Sequence, residues 1–320
     1  MVAIAILDDY QNVALKLADW SKLQAAHKVT VFNEHLKDVE IAAKALADFE
    51  VIGIMRERTP FPRAMFERLP KLKLLVTTAM RNASIDLQAA ADHKVTVCGT
   101  PAGGHCTAEL AFGLLIALAR HFDVEFRNMR EGRWQTTVGS DIRGKTLGLL
   151  GLGRLGGEMA KFGSAFGMKL IAWSQNLTPD RAKEAGAELV KKEDLFRRSD
   201  FVSVHLVLSD RSRGLVGAPE LALMKPTACI INTSRGPIID ANALAAALKE
   251  KRIAGAALDV YDVEPLPANH PLRSEPRAVL TPHIGYVTEE TYRAFYGGMA
   301  EVMQAWIAGK PIRVIGGHQP

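Results

Sequence analysis

The stretch KTLGLLGLGRLGGEMAKFG, from Lys145 to Gly163, decides the fold. It carries the pattern G-x-G-x-x-G at Gly151, Gly153 and Gly156, between an apolar run that predicts a strand and a segment that predicts a helix. In that setting the first glycine allows a tight turn, the second lets a pyrophosphate approach the backbone, and the third lets helix and strand pack closely. The stretch therefore predicts a dinucleotide-binding unit with the phosphates at the N-terminus of the helix.

Short apolar runs alternate with helical patterns along the chain, which predicts an α/β protein with mostly parallel sheets. The strands predicted in the first hundred residues are Val2–Leu7, Val29–Phe32, Val51–Met55, Leu72–Thr77 and Val95–Cys98. A long helical stretch from about Thr107 to Met129 follows. The second series of predicted strands comprises Thr146–Leu150, Lys169–Trp173, Phe201–His205, Ala228–Asn232, Gly255–Leu258 and Ala278–Leu280. This second series has the six strands of a full dinucleotide-binding domain.

The composition is typical of a soluble globular protein. Of 320 residues, 48% are hydrophobic and 23% charged, and the net charge is +5; the length favours two domains. The basic residues are scattered, so no nucleic-acid partner is expected. Cys98, Cys106 and Cys229 show no metal-ligand or redox spacing, which favours reduced thiols, a cytoplasmic location and no metal. The apolar run Leu110–Ala119 is about half a membrane span, so no membrane partner is expected.

The end of the second strand of the second series bears on the choice of coenzyme. An acid usually stands there, about 20 residues beyond the glycines, and binds the ribose 2′-hydroxyl of NAD. This chain has Ser174, followed by Gln175 and Asn176. A carboxylate would repel a 2′-phosphate, whereas a serine and two amides would not. The sequence is therefore compatible with NAD or NADP and leaves the choice open.

Five motifs, in order along the chain, resemble those of the D-isomer-specific 2-hydroxyacid dehydrogenases, which include glyoxylate/hydroxypyruvate reductases and D-3-phosphoglycerate dehydrogenases. The motifs are GLGRLG from Gly151, VSVHLVLS from Val202, INTSRGPIID from Ile231, AALDVYDVEPLP from Ala256 and LTPHIGY from Leu280. The resemblance covers nearly the whole chain. It implies an NAD(P)-dependent oxidoreductase that transfers a hydride, reversibly, between the coenzyme and a small 2-oxo acid to give a D-2-hydroxy acid.

The resemblance also implies catalytic roles. Arg235 would bind the 2-oxo acid through two parallel hydrogen bonds and polarise the carbonyl that receives the hydride. Glu264 and His283 would form the acid-base pair, because a carboxylate bonded to one imidazole nitrogen fixes the ring and favours its charged form. The other nitrogen would then give a proton to the ketone. Asp259 would accept a hydrogen bond from the nicotinamide carboxamide.

The other cofactor contacts implied by the resemblance lie in the same motifs. Arg154 and Leu155 would lie over the pyrophosphate, and Thr233, Ser234 and Gly285 would line the nicotinamide side.

The first hundred residues resemble the family's substrate domain. The turn formed by Thr78, Ala79, Met80 and Arg81 corresponds to the loop whose backbone amides hold the substrate carboxylate, although the family commonly has a glycine near Ala79. As a hypothesis, Arg56 and Arg81 favour an acidic or phosphorylated substrate tail. The alternative is that both arginines lie on a solvated rim.

The resemblance implies that residues 1–101 and 290–320 form the substrate domain and that 102–289 form an inserted NAD(P)-binding Rossmann domain, both Rossmann-like or flavodoxin-like. The helix from Thr107 and the segment VGSDIRG resemble the family's dimer contacts, so a homodimer is expected. A non-catalytic NAD(H)-sensing module, like the corepressors of this family, is the alternative. Such relatives retain similar residues, so a turnover assay is needed to separate the two.

Overall fold

The computed structural model describes residues 1–101 and 104–318. The strands of these residues are β1 (Ala3–Ile6), β2 (Lys28–Val31), β3 (Val51–Ile54), β4 (Leu74–Thr77), β5 (Thr96–Gly99), β6 (Thr146–Leu150), β7 (Lys169–Trp173), β8 (Glu188–Leu189), β9 (Phe201–Val204), β10 (Cys229–Asn232), β11 (Gly255–Leu258), β12 (Ala278–Leu280) and β13 (Val314–Gly317). The helices are α1 (Ala14–Leu17), α2 (Ser21–Ala26), α3 (Val39–Leu46), α4 (Arg63–Arg68), α5 (Leu87–Asp92), α6 (Cys106–Arg120), α7 (Phe122–Arg130), α8 (Arg154–Ala165), α9 (Pro179–Glu184), α10 (Lys192–Arg198), α11 (Ala218–Leu223), α12 (Ala241–Lys249) and α13 (Glu289–Ile307).

The described chain divides into two compact units, with boundaries between Gly104 and His105 and between Tyr286 and Val287. The second unit is continuous in sequence and interrupts the first. The sequence predicted divisions between residues 101 and 102 and between 289 and 290; residue 102 lies outside the described residues.

The first unit is built on a six-stranded sheet with the order β13-β5-β4-β3-β1-β2. All neighbouring strands are parallel except β13, which runs antiparallel to β5. Every residue of β3 and of β4 is buried, so both faces of these strands are covered, and this explains their unbroken apolar sequence. The carboxyl ends of β3 and β4 lead into the loops that carry Arg56 and Thr78–Arg81.

The second unit is built on a seven-stranded parallel sheet with the order β12-β11-β10-β9-β6-β7-β8. The order reverses between β6 and β9, which is the point where doubly wound sheets bind ligands beyond the carboxyl ends of their strands. The segments with the expected cofactor and catalytic residues follow β6, β7, β10, β11 and β12. This topology therefore places them along one edge of the sheet.

The predicted fold class is confirmed by two mostly parallel α/β sheets, but three local predictions were wrong. The prediction omitted β8, which has only two residues and so shows no periodicity. It also omitted β13, whose sequence VIGG reads as a turn. The long helix predicted from about Thr107 is two helices, because His121 has a left-handed φ of 52° and ends α6.

Candidate active site

The glycine-rich turn between β6 and α8 has the shape that a dinucleotide requires. Gly151 has a φ of 103°, and a Cβ atom placed on it would lie 2.7 Å from the carbonyl oxygen of His205. A Cβ atom on Gly156 would lie 2.2 Å from the carbonyl oxygen of Gly151, so α8 can begin this close to β6 only with glycine here. A Cβ atom on Gly153 would meet nothing within 4 Å. The backbone at the start of α8 is thus open to a pyrophosphate.

The end of β7 carries no carboxylate. Ser174 is half-buried and its carbonyl oxygen accepts a hydrogen bond from the Leu177 amide at 3.1 Å, while Gln175 and Asn176 are exposed. Arg154, the first residue of α8, is exposed, and Leu155 is half-buried. No acidic group stands between Ser174 and Leu177, so this turn presents no negative charge to a ribose 2′-phosphate.

The turn after β10 holds Arg235 through its backbone. The Asn232 side chain donates to the Arg235 carbonyl oxygen at 3.0 Å and accepts from the Ser234 amide at 3.0 Å. Ser234 Oγ donates to the Leu206 carbonyl oxygen, which ties this turn to the end of β9. The Arg235 guanidinium is half-buried and donates to the Ser234 carbonyl oxygen at 2.7 Å.

Thr233, in the same turn, carries a buried hydroxyl without a hydrogen-bond partner among the described residues. Buried polar groups are nearly always paired, so an orphaned hydroxyl next to Arg235 indicates a position that a ligand group fills. The predicted place of Thr233 on the nicotinamide side fits this observation. Together with the open backbone at Gly153, it is the observation on which the residues of this unit fit a dinucleotide.

Glu264 and His283 form a close pair. Glu264 Oε2 lies 2.5 Å from His283 Nδ1, and Glu264 Oε1 accepts a hydrogen bond from the Tyr261 amide at 2.8 Å. The side chains are 33% and 23% exposed, so the pair is reachable from solvent. The His283 backbone has a left-handed φ of 53°, which is uncommon for a residue with a side chain. The Glu264 carboxylate thus binds one imidazole nitrogen, Nδ1, and holds the ring.

Asp259 is only 1% exposed and organises the segment that carries His283. Its Oδ1 accepts hydrogen bonds from Thr281 Oγ1 at 2.6 Å and from the Ile284 amide at 2.8 Å. Its Oδ2 accepts from the Gly285 amide at 2.8 Å. Burial raises the pKa of Asp259 above its usual value of 3.8, against the opposing effect of these three hydrogen bonds. The carboxylate thus holds the backbone just after His283 and the Thr281 side chain just before it.

Three residues that support this cluster were not predicted from the sequence. Thr281 bonds Asp259, Thr107 Oγ1 donates to the Gly285 carbonyl oxygen at 2.9 Å, and the Tyr261 hydroxyl bonds the Leu258 and Thr281 carbonyl oxygens at 3.1 and 2.9 Å. Thr281 lies in the LTPHIGY motif and could have been inferred from it. Thr107 is far away in sequence, so no local signal pointed to it.

The expected substrate loop lies in the first unit. Ala79 has a left-handed φ of 65°, the conformation that the glycine of the family would adopt freely. Its amide donates to Thr100 Oγ1 at 2.8 Å. Met80 and Arg81 are exposed. The Arg56 guanidinium donates to the Thr78 and Arg81 carbonyl oxygens at 3.3 and 3.5 Å and lies 3.7 Å from Glu57 Oε1, so it contacts both the loop and a neighbouring carboxylate.

No described helix has the length and apolar character needed to cross a membrane. Across residues 1–101 and 104–318, no group of three His, Cys, Asp or Glu side chains could hold a metal ion.

Comparison with known proteins identifies the family. The family model described as "D-isomer specific 2-hydroxyacid dehydrogenase, NAD binding domain" matches residues 112–285. The chain is 40% identical over 256 residues to a glyoxylate reductase of Aeropyrum pernix, with 77% of this chain and 76% of the relative covered. It is 34% identical over 314 residues to a D-3-phosphoglycerate dehydrogenase of Methanocaldococcus jannaschii, of which it covers only 58%, while 97% of this chain is matched.

A solved structure shows the same architecture. The crystal structure of a putative D-3-phosphoglycerate dehydrogenase oxidoreductase from Ralstonia solanacearum superimposes with a TM-score of 0.92 at 34% identity, covering 98% of this chain and 96% of that one. The expected NAD(P)-dependent dehydrogenase chemistry is confirmed by these relatives. The chain therefore belongs to the D-isomer specific 2-hydroxyacid dehydrogenase family, as an enzyme that uses NAD(P) to reduce 2-oxo acids to D-2-hydroxy acids.

Proposed function

We propose that this enzyme reduces a small 2-oxo acid of the glyoxylate type, with Arg235, Glu264 and His283 as its catalytic residues. The observation that carries the proposal is the pair of Glu264 Oε2 and His283 Nδ1 at 2.5 Å, on loops that follow neighbouring strands of the second sheet. The name of the Aeropyrum pernix relative supports glyoxylate as the first substrate to test.

The chemistry needs a positive group at the carbonyl and a proton donor beside it. Bound NAD(P)H supplies the hydride. The Arg235 guanidinium would hold the substrate carboxylate and polarise its carbonyl. As the C–H bond forms, the electron pair of the C=O bond moves to oxygen, and His283 Nε2 gives the proton that completes the hydroxyl. Glu264 would keep Nδ1 occupied and the ring in one orientation, so that Nε2 would be the nitrogen that faces the substrate.

The coenzyme would be held by the five segments of the second unit that follow β6, β7, β10, β11 and β12. Gly151, Gly153 and Gly156 with Arg154 and Leu155 would receive the pyrophosphate, and Ser174 the adenosine ribose. On the nicotinamide side we propose Thr233, Ser234, Asp259 and Gly285. The orphaned Thr233 hydroxyl supports this assignment, whereas Asp259 already accepts three hydrogen bonds within the protein.

In the first unit we propose that the loop of Thr78, Ala79, Met80 and Arg81 receives the substrate carboxylate through its backbone amides. The Ala79 amide already donates to Thr100, so we expect the amides that follow it in the loop to bind the carboxylate. Because the Arg56 guanidinium already donates to carbonyl oxygens of this loop, Arg81 is the arginine that we expect to meet an acidic substrate tail. Equal activity on glycerate and phosphoglycerate would count against that role.

The test is a steady-state assay of NADH and NADPH oxidation with glyoxylate, hydroxypyruvate and pyruvate. We expect His283→Ala to lower kcat about a hundredfold or more. His93→Ala, at an exposed histidine in the first unit, is the matched control and should keep the wild-type rate. A wild-type rate in His283→Ala would contradict the assignment. No turnover with any acid, while NAD(H) still binds tightly, would instead favour the NAD(H)-sensing alternative, which nothing in the relatives named above supports.

We also propose a homodimer, located in the cytoplasm. Along α7 and the segment after it, the exposed fractions are 36% for Phe122, 59% for Phe126, 56% for Met129 and 72% for Trp134. Exposed apolar groups of this size typically mark a protein interface. Phe126→Ser combined with Trp134→Ser should convert a dimer into a monomer in light-scattering measurements, whereas Leu15→Ser, at a partly exposed leucine of α1, should not. A wild-type chain that is monomeric would refute this proposal.

A further inference from the structure

Asn82, just beyond the expected substrate loop, uses every hydrogen-bonding position of its side-chain amide. Nδ2 donates to the Arg56 carbonyl oxygen at 2.7 Å and to Thr77 Oγ1 at 2.9 Å. Oδ1 accepts from the Ser84 amide at 2.9 Å and from Ser84 Oγ at 2.7 Å. An amide has two donor hydrogens and two acceptor lone pairs, so this side chain is saturated.

The orientation of the amide is fixed by its partners. The Arg56 carbonyl oxygen can only accept a hydrogen bond, and the Ser84 backbone N–H can only donate one. Turning the amide over would set oxygen against oxygen and nitrogen against nitrogen. Asn82 therefore has one orientation, and an aspartate, which has the same shape without the N–H groups, cannot replace it.

These bonds join three segments at one edge of the first sheet. Thr77 ends β4, and Arg56 lies just beyond β3, its parallel neighbour. Arg56 has a left-handed φ of 53°, and its amide donates to Thr78 Oγ1 at 2.8 Å. The loop after β3 is thus bonded to the start of the Thr78–Arg81 loop through its amide and to Asn82, at the end of that loop, through its carbonyl oxygen.

The second link between these loops is the Arg56 side chain. Its guanidinium reaches the Thr78 and Arg81 carbonyl oxygens at 3.3 and 3.5 Å, which are long hydrogen bonds. These contacts bond the carbonyl groups of the first and the last residue of the loop to the arginine. Asn82 holds the Arg56 backbone from which this side chain extends.

We infer that Asn82 is a positioning residue for substrate binding, which orients the backbone of the Thr78–Arg81 loop by holding Arg56. The inference rests on the proposed function, because it assumes that this loop receives the substrate carboxylate. Asn82 itself touches no reacting atom. Its effect therefore falls on the affinity for the acid and leaves the proton and hydride steps of the second unit unchanged.

The test compares Asn82→Asp with the wild type on a 2-oxo acid and on its methyl ester. We expect the variant to raise KM for glyoxylate at least about tenfold, because Oδ would face the Arg56 carbonyl oxygen. The kcat value should change less than about threefold, and the affinity for NADH, measured by its fluorescence, should not change. With methyl glyoxylate, which lacks the carboxylate, the rise in KM should disappear.

Two further variants keep the inference open to refutation if Asn82→Asp folds poorly. Asn82→Ala removes the amide without adding a charge and should show the same division between KM and kcat. Ser84→Ala removes one of the two donors to Oδ1 but keeps the bonds to Arg56 and Thr77, so KM should stay within about threefold of the wild type.

The outcomes separate the inference from the proposed function. A wild type that prefers the acid to the ester, beside Asn82 variants with unchanged KM, would overturn the inference alone. Equal losses on acid and ester would also overturn it, since the loop would then act on something other than the carboxylate. A wild type that treats acid and ester alike would overturn the proposed role of the loop and, with it, this inference.

Discussion

Replacing Asp259 by asparagine should reduce turnover without unfolding the enzyme. An asparagine oxygen in the place of Oδ1 can keep the bonds to Thr281 and Ile284, but its NH₂ group would then face the Gly285 N–H. A lost hydrogen bond to a charged group costs about 1.5–3 kcal/mol. If that loss acts on the position of His283 in the transition state, kcat falls about 10- to 150-fold.

Stability should respond differently, because the folded protein disfavours the charge of Asp259. Burial raises its pKa above 3.8, so the stability that this group contributes is present below pH 3.8 and is lost as the pH rises through the folded pKa. Asparagine does not ionise, so the variant does not lose this stability as the pH rises. It does lose one of the three hydrogen bonds of Asp259. The two effects oppose each other at pH 7, so Tm should stay within about 4 °C of the wild type. On acidification toward pH 4, the wild type should gain stability relative to the variant.

The assay combines kcat for glyoxylate, thermal melting at both pH values and the affinity for NADH. Asp240→Asn is the matched control: Asp240 also accepts two backbone N–H bonds, from Asn242 and Ala243, but at the exposed N-terminus of α12, where asparagine caps equally well. Its kcat should stay within about twofold of the wild type. A wild-type kcat for Asp259→Asn would refute the positioning argument. A loss confined to NADH affinity would mean that the carboxamide contact is the main role of Asp259.

Three other variants test separate features. Ala79→Gly should stabilise the first unit by about 0.5–1 kcal/mol in urea denaturation, because φ is 65° there; a loss of stability would contradict the strain argument. Gly156→Ala should weaken NADH binding at least about tenfold in a fluorescence titration, since its Cβ would lie 2.2 Å from the Gly151 carbonyl oxygen. Gly157→Ala, whose Cβ meets nothing within 4 Å, should bind normally, and equal losses would refute the packing reason. Ser174→Asp should shift the NADH-to-NADPH ratio of kcat/KM toward NADH about tenfold or more, and an unchanged ratio would place the ribose elsewhere.

The parallel strands were predictable because their sequences are continuous apolar runs. Strands such as β3 and β4 are buried on both faces, so hydrophobicity alone marks them. The antiparallel β13 could not be found in this way. Its pairing with β5 satisfies the backbone at that edge of the sheet, while its own sequence contains two glycines.

In the candidate site, too, some features could be predicted from the local sequence and others depend on contacts that form only on folding. Arg235, Glu264 and His283 stand in short motifs, so their types and order were readable from the sequence. The contacts that hold them were not readable, since they depend on segments brought together by folding. The bond from Thr107 to Gly285 joins the two ends of the second unit, and the bond from Asn82 to the Arg56 carbonyl oxygen involves a left-handed Arg56 that no propensity predicts.

The first unit is formed by two stretches of sequence, one before His105 and one after Tyr286, so it cannot be completed until the end of synthesis on the ribosome. The second unit, His105–Tyr286, is continuous, so all of its strands are available as soon as Tyr286 has emerged. The sheet of the first unit is incomplete at that stage, because β5 still lacks its antiparallel neighbour, Val314–Gly317. Until β13 has been made, the N–H and C=O groups on the outer edge of β5 are unpaired and can pair with another strand. We therefore expect the part of the chain that is made first to complete its sheet last.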